Sequence, residues 1–572
     1  MKKPNEYLEL FRSLQKEWKW LVRYVSKYRW QIVLYALLGM LATAMGLGSG
    51  VASKYLIDSV VSHSNDVILR NALVAAGLGF SQIIVNAVIS RVVTVIGTRI
   101  NSEIRSDIYE HITFAKWTDI RKFHSGELLN RIEGDVTTVS NSIITFIPGI
   151  VTKGAQFIGC LLIVLYYDPT MAVFAFLSAP FMVLSSRITI KMIRKYNKES
   201  RDMNGKIISF YSESIQNLQM IKAFDITKGY VERMKTNLEI YRKIRLDHDR
   251  FTIIMSLCMS VIGLIVSYAC YGWGVYRLWQ GVISYGTMTL FLQISGQLTS
   301  SFSALVALVP GAVSIATSAG RVMEIIDLPF EKNEDSAQAE RMEKSANEHG
   351  VKIVCDNLKY TYPDGDTPVI AKADFTVSPG ETVAFVGPSG EGKTTLLRLM
   401  LGLIEPDSGE IRIQTKDGLS IPVSESTRRF CSYVPQGNTI FSGTVSDNLR
   451  IVRPEATDEE IVQALRAAQA WDFVSDLPLG INTEIGEKGV NFSEGQIQRI
   501  SIARAILRDA PIVVMDEATS ALDAATEEKV LTNMMKTYPN RARIITTHRP
   551  SMLQYCTRIY KITEDGTLVE NK

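Results

Sequence analysis

The segment Gly387-Pro388-Ser389-Gly390-Glu391-Gly392-Lys393-Thr394 lies between a short apolar run, Val383-Ala384-Phe385-Val386, and the helix-forming Thr395-Leu396-Leu397. This order matches the G-x-x-x-x-G-K-[ST] pattern of a phosphate-binding loop in its expected strand-to-helix context. Backbone N–H groups exposed by Gly387, Gly390 and Gly392 can wrap phosphate oxygens, and the helix N-terminus adds its positive dipole end. Lys393 is expected to neutralise β/γ-phosphate charge and Thr394 to offer a hydroxyl to Mg²⁺, with Ser389 and Thr395 completing the cradle. Further on, Ile512-Val513-Val514-Met515 reads as an apolar strand ending in Asp516-Glu517. Two adjacent carboxylates suit two tasks in ATP hydrolysis: Asp516 is expected to hold the magnesium shell, and Glu517 to align or deprotonate the attacking water.

Positioning this chemistry takes a small part of the chain. There are 572 residues, 46% hydrophobic and 21% charged, and the mean hydropathy is +0.08. That is too apolar for a disordered polypeptide and more apolar than a soluble enzyme needs, so a membrane part is expected. The net charge of +3 gives no reason to expect a nucleic-acid partner. The six cysteines are scattered without a CxxC pair, which excludes a disulfide framework or a zinc site by spacing. The N-terminus lacks the apolar core and small-residue cleavage site of a signal peptide.

Residues 31–57, 72–97, 143–166, 169–190, 251–277 and 286–310 are each apolar enough, and long enough at 1.5 Å per helical residue, to cross a bilayer. Tyr167-Asp168-Pro169 makes a tight hairpin of the third and fourth. Basic residues flank alternate ends: Lys16, Lys19, Arg23, Lys27 and Arg29 first, then Arg99 to Arg131, then Arg187 to Arg250, with few in the short connections between. Both termini are therefore expected in the cytoplasm. Residues 1–30 read as a cytoplasmic amphipathic elbow, and 31–328 as an all-α six-helix transmembrane domain. The long inner connections, 98–142 and 191–250, read as helices continuing into water; Ile207, Ile208, Tyr211, Ile215 and Leu218 recur at helical spacing. Residues 329–350, polar and without an apolar face, read as a linker. Alternating and apolar runs from Val351 onward indicate an α/β P-loop ATPase domain over 351–572.

Asn491-Phe492-Ser493-Glu494-Gly495-Gln496, followed by Gln498-Arg499 and lying shortly before Asp516-Glu517, resembles the signature motif of ATP-binding cassette (ABC) ATPases. The resemblance extends in order: Tyr362 corresponds to the adenine-stacking aromatic, Gln436 to a glutamine that serves both catalysis and metal, Ser520-Ala521-Leu522-Asp523 to the D-loop, and His548 to the switch histidine. Thr483 to Gly489 resembles a segment that exporters place against their membrane domains. The six spans resemble the type IV exporter membrane domain, with Gly126 to Arg131 plus Asp135, and Glu213 to Phe224, as coupling regions. Departures are Glu494 for the first signature glycine, Phe492 for leucine, Glu391 in the P-loop, and no proline before Ile57-Asp58.

The resemblance implies a half-transporter using ATP and Mg²⁺. The P-loop of one copy and Ser493, Gly495 and Gln496 of another would close on nucleotide, in a homodimer or a heterodimer within the lipid bilayer. It implies ATP-driven export of a small molecule, peptide or amphiphile by alternating access across a bacterial plasma membrane. An ATP-gated channel, or an importer on the same fold such as one for a siderophore, is the alternative. Polar residues within spans are candidate cavity groups or interhelical contacts: Gln82 and Asn86 share one helix face, Gln293 and Gln297 another, and Ser295, Ser300, Ser301 and Ser303 lie nearby. Arg91 and Lys54 are the charged residues singled out nearest to span interiors.

Overall fold

The computed structural model describes residues 15–63, 65–170, 192, 195–196, 199–331, 335–363, 365–388, 390–437, 439–486, 489, 491–547 and 549–571. It divides into two compact units: Met1–Ile112 with His124–Asp327, and Thr113–Phe123 with Leu328–Lys572.

The first unit is helical. Among the described residues, four helices are long and apolar enough to cross a membrane: Arg29–Val61, Val67–Phe114, Ser125–Tyr167 and Thr227–Ile265. A further long helix, Tyr285–Ile326, contains the sixth expected span. The fourth, 169–190, lies outside the described residues beyond Thr170. The described parts of the inner connections are largely helical, as their spacing predicts. The helix Asn65–Phe114 runs well past the apolar span, and Ile96, Ile100, Ile104 and Ile108 form a stripe at four-residue spacing. That stripe is buried against Val136, Val139, Ile143, Ala319, Val322 and Ile325, at about 1.5–3 kcal/mol for each large side chain removed from water. The elbow helix Gln15–Lys27 joins the same cluster through Leu21.

The start of the helix Tyr285–Ile326 is tied to the end of Arg29–Val61 by Asp58, which accepts from Ser284 Oγ and from the Gly286 N–H, each at 2.8 Å. This satisfies an orphan donor and places a carboxylate at a positive helix end.

The second unit holds two larger sheets. Its strands are β1 Val351–Tyr360, β2 Ile370–Val377, β3 Thr382–Val386, β4 Ser408–Thr415, β5 Ser420–Pro422, β6 Cys431–Val434, β7 Gly443–Thr444, β8 Glu484–Ile485, β9 Ile512–Asp516, β10 Ala542–Thr546, β11 Arg558–Ile562 and β12 Leu568–Asn571. The antiparallel sheet runs β2-β1-β4-β5, the six-stranded sheet β12-β11-β3-β10-β9-β6, and β7 pairs with β8. Within the second sheet β3, β10, β9 and β6 are parallel neighbours. Their C-terminal ends therefore line one edge, where ligands of open α/β sheets bind. Gly387, Thr546, Asp516 and Gln436 fall at or just beyond those ends.

One expectation needs correction. Residues expected as a linker contain the helix Ser336–His349, whose Ala339, Met342 and Ala346 are fully buried in the ATPase core at helical spacing. Two of these three are alanines, so the apolar stripe is narrow and easily read as polar sequence. Of the expected coupling region at 126–135, two residues are held inside the helical unit. Arg131 and Asp135 are buried within the helical unit, with Arg131 bonded to Glu127 and Glu324 and Asp135 to Arg321. Thr113–Phe123, including the short helix Trp117–Ile120, belongs to the second unit. Trp117 packs on the ATPase core, Arg398 lies 4.9 Å from its ring, and Lys116 pairs with Glu405 at 2.8 Å.

Candidate nucleotide-binding and hydrolysis site

The loop after β3 turns sharply into the helix Lys393–Met400. Gly387, Gly390 and Gly392 all have positive φ, and a Cβ on Gly392 would meet Val369 Cγ1 at 2.8 Å. Only glycine fits there, for backbone conformation and for space. The Lys393 side chain is almost wholly buried and donates to the carbonyls of Gly387 (2.7 Å) and Pro388 (2.9 Å). Its ammonium thus lies folded along the loop expected to present N–H groups to phosphate. Thr394 is half-buried in the first turn and Thr395 is buried. Ser389 lies outside the described residues.

Asp516 ends β9 with 1% exposure. Its Oδ1 accepts from Thr546 Oγ at 2.7 Å, while Oδ2 is buried without a hydrogen-bond partner. Glu517 follows in the left-handed region at φ +48°, and its N–H donates to the same Thr546 hydroxyl at 3.0 Å. This strained backbone turns the Glu517 side chain away from the strand direction. Gln436 Nε2 then donates to Glu517 Oε2 at 2.8 Å. The structure thus brings together Gln436, Asp516 and Glu517 and adds Thr546, which the sequence reading missed. Its signal was positional: a threonine closing the strand next to β9.

Tyr362 is half-buried, with its hydroxyl 3.1 Å from Thr395 Oγ1 and 3.1 Å from the donor Arg398 Nη1. Arg121 lies 5.6 Å from its ring centre, and Tyr360 meets it edge-on. Both arginines were missed, because one comes from a segment far upstream in sequence.

The signature residues form a separate group. Ser493 caps the helix Glu494–Arg508: the Gln496 N–H donates to Ser493 Oγ at 3.3 Å, and Gln496 Oε1 accepts from the Ser493 N–H at 2.8 Å. This reciprocal capping box holds Ser493 exposed at a positive helix end. A Cβ on Gly495 would lie 2.9 Å from the Ala521 carbonyl oxygen, so glycine permits close approach of the D-loop. Gln498, noted in sequence without a role, joins the groups by donating to the Glu517 carbonyl and accepting from the Ala521 N–H at 3.0 Å. Asp523 caps the helix Ala524–Thr537 by accepting from the Thr526 N–H at 2.9 Å, and that bond holds its carboxyl below the usual range. Arg549, also missed, donates to the carbonyls of Thr519, Ser520 and Leu522 and so braces the D-loop. His548 lies outside the described residues.

Of the polar residues in the spans, Gln297 accepts from Cys160 Sγ at 3.8 Å, and Gln82 and Gln293 lie against Gly46 and Gly50. These three sit at helix–helix contacts.

A P-loop and two terminal carboxylates on one sheet edge, with a capped signature helix in the same unit, in a chain that also holds a bundle of long apolar helices, define a membrane protein with its own ATPase. Residues 32–302 match the family model for the ABC transporter transmembrane region and residues 370–520 that for the ABC transporter ATPase part. The chain belongs to the ABC transporter family, with membrane and ATP-hydrolysing parts in one polypeptide. It is 29% identical over 560 residues to a protein of Staphylococcus aureus (strain NCTC 8325 / PS 47) named as a multidrug export ATP-binding/permease protein, covering 96% of this chain and 95% of that one. A protein of the same name from the bovine strain RF122 / ET3-1 is 28% identical over the same shares. The fold is similar to that of a bacterial Atm1-family ABC exporter solved with ATP bound, at a TM-score of 0.79 and 23% identity over 95% of this chain and 94% of that one.

Proposed function

We propose that the chain is one half of a homodimeric exporter that couples ATP hydrolysis to outward movement of a small molecule, peptide or amphiphile. The observation that carries this reading is the Gln436–Glu517 contact at 2.8 Å beside an ordered P-loop lysine, in a chain with one P-loop and one signature. A complete hydrolytic set in every copy lets two identical copies form two competent sites. The names of the Staphylococcus aureus relatives support export as the direction.

The buried, unpartnered Asp516 Oδ2 fits a cation site, with Thr394 and Gln436 as further ligands. Magnesium bound there would offset charge on the β- and γ-phosphates. Lys393 would move from its loop carbonyls onto phosphate oxygens. Ser493 and the Gly495 N–H of a second copy would meet the γ-phosphate at their helix end. Glu517, held by Gln436, would take the proton of the attacking water, with His548 alongside. Tyr362 would offer its ring to adenine and Asp523 would sit in the D-loop between copies. Because ATP shifts an equilibrium only by its differential affinity, it must bind the closed dimer more tightly than the open one. The basic inner flanks support cytoplasmic termini in a bacterial plasma membrane.

Glu517→Gln is the test. It is expected to retain ATP binding and dimer closure but to lose about 10²–10⁴-fold in turnover. Brisk hydrolysis by that variant would sink the assignment. Native mass spectrometry reads the dimer, and ATP-driven uptake into inside-out vesicles, against ion conductance, separates export from a channel or an importer.

A further inference from the structure

The six spans contain no aspartate or glutamate, yet they carry five basic residues: Lys54, Arg91, Lys153, Arg187 and Arg277. Two are neutralised at span ends, Lys54 by Asp58 at 3.3 Å and Arg277 by Asp168 at 2.9 Å. Arg187 lies outside the described residues, and Arg91 is exposed six residues from the end of its span, about 9 Å along the helix. From that depth an arginine can reach the headgroups.

Lys153 lies deeper than Arg91 and Lys54, which the sequence reading placed nearest to span interiors. It stands ten residues from one end of the span 143–166 and thirteen from the other. At about 15 and 20 Å from the span ends it is too deep to reach either interface. Its side chain is exposed, and the hydrogen bond it makes among the described residues is to its neighbour Gln156 Oε1, at 3.1 Å. A cation at such depth costs about 2.5–3.5 kcal/mol against lipid, so such groups face a bundle interior or a water-filled path.

The direction of that path follows from the helix face. Lys153 shares its stripe with Phe157 and Cys160, and both meet the helix Tyr285–Ile326: Phe157 lies 6.1 Å from Phe302, and Cys160 bonds Gln297. One turn to the other side, Gly149 lies against Leu308. Lys153 therefore lies on the face that meets the helix Tyr285–Ile326, between these contacts, and its side chain stays exposed there.

We propose that Lys153 forms a cationic subsite in the transport path, and that the cargo is an anionic amphiphile bearing a carboxylate, sulfonate or phosphate. This rests on the export reading and names its substrate class. The absence of acidic residues from every span removes the counter-charge that a cationic cargo would need.

The test is ATP-driven uptake into inside-out proteoliposomes of the full chain, with 1-anilinonaphthalene-8-sulfonate and ethidium as probes and the Glu517→Gln protein as background. The anionic dye is expected to be favoured, Lys153→Gln to raise its KM about tenfold with a smaller change in kcat, and Lys153→Glu to invert the preference, an outcome no misfolded protein can give. Labelled phosphatidylglycerol, in vesicles with and without unlabelled anionic lipid, distinguishes a lipid headgroup from a soluble anion as the source. Equal uptake of both dyes by the unaltered chain, or a Lys153→Glu protein that still prefers the anion, would overturn the subsite while the uptake itself upheld export.

Discussion

The Thr546 hydroxyl donates to Asp516 Oδ1 at 2.7 Å and accepts the Glu517 N–H at 3.0 Å, so one side chain at the end of β10 positions both carboxylates at the end of β9. The parallel register that sets Thr546 beside Asp516 makes this possible. Removing the hydroxyl leaves a buried carboxylate oxygen and a strained N–H without that partner, a cost of about 1–3 kcal/mol. Thr546→Val is expected to slow ATP hydrolysis by about 10–100-fold, and Thr546→Ser to stay within about threefold, in steady-state assays of the purified protein. Equal rates for the two variants would remove Thr546 from the site.

Met342 tests the helix found where a linker was expected. Its side chain is fully buried in the ATPase core, and truncation of such a residue costs about 2–5 kcal/mol. Met342→Ala is expected to lower the unfolding temperature of the full chain by several degrees, whereas a solvent-facing change such as Glu340→Ala should leave it in place.

The Asp135–Arg321 pair should respond asymmetrically. Asp135 is nearly inaccessible and Arg321 about half exposed, with side chains at 4% and 42%. Arg321→Ala strands a buried carboxylate, at about 1–3 kcal/mol, while Asp135→Ala leaves an arginine that can turn to water. The expected order of stability in denaturant titrations is wild type, then Asp135→Ala, then Arg321→Ala. Adding Asp135→Asn to Arg321→Ala should restore part of the loss.

Asp523 gives a pH signature. The Thr526 N–H favours its ionised form, so the folded carboxyl titrates below the unfolded one. Its stabilising effect is therefore present above the unfolded carboxylate range and is lost as pH falls through the folded value. Comparing thermal unfolding at pH 7 and at about pH 2, Asp523→Asn should lose less stability on acidification than the wild type does.

The P-loop, the terminal carboxylates, the signature and the apolar spans were legible in sequence because each rests on local chemistry: a glycine turn that only glycine can make, a strand with a charged end, a length that fits a bilayer. The helix Ser336–His349 was not, since two alanines and a methionine carry little periodic signal and become a buried face only against the ATPase core. Nor was the Trp117 segment, because its partners Arg398 and Glu405 lie hundreds of residues away. Spacing also marked Gln297 as a polar group on a helix face without revealing that its partner would be Cys160 of another helix.

What the sequence determined by itself was the inventory: an ATP-hydrolysing set, a membrane part, and spans free of acidic residues. What only the tertiary structure decided was adjacency. Four parallel strands bring Gly387, Thr546, Asp516 and Gln436 to one edge from positions more than 150 residues apart, and helix packing sets the exposed Lys153 on the face that meets the helix Tyr285–Ile326. Backbone pairing and burial act through space, and sequence distance carries no record of them.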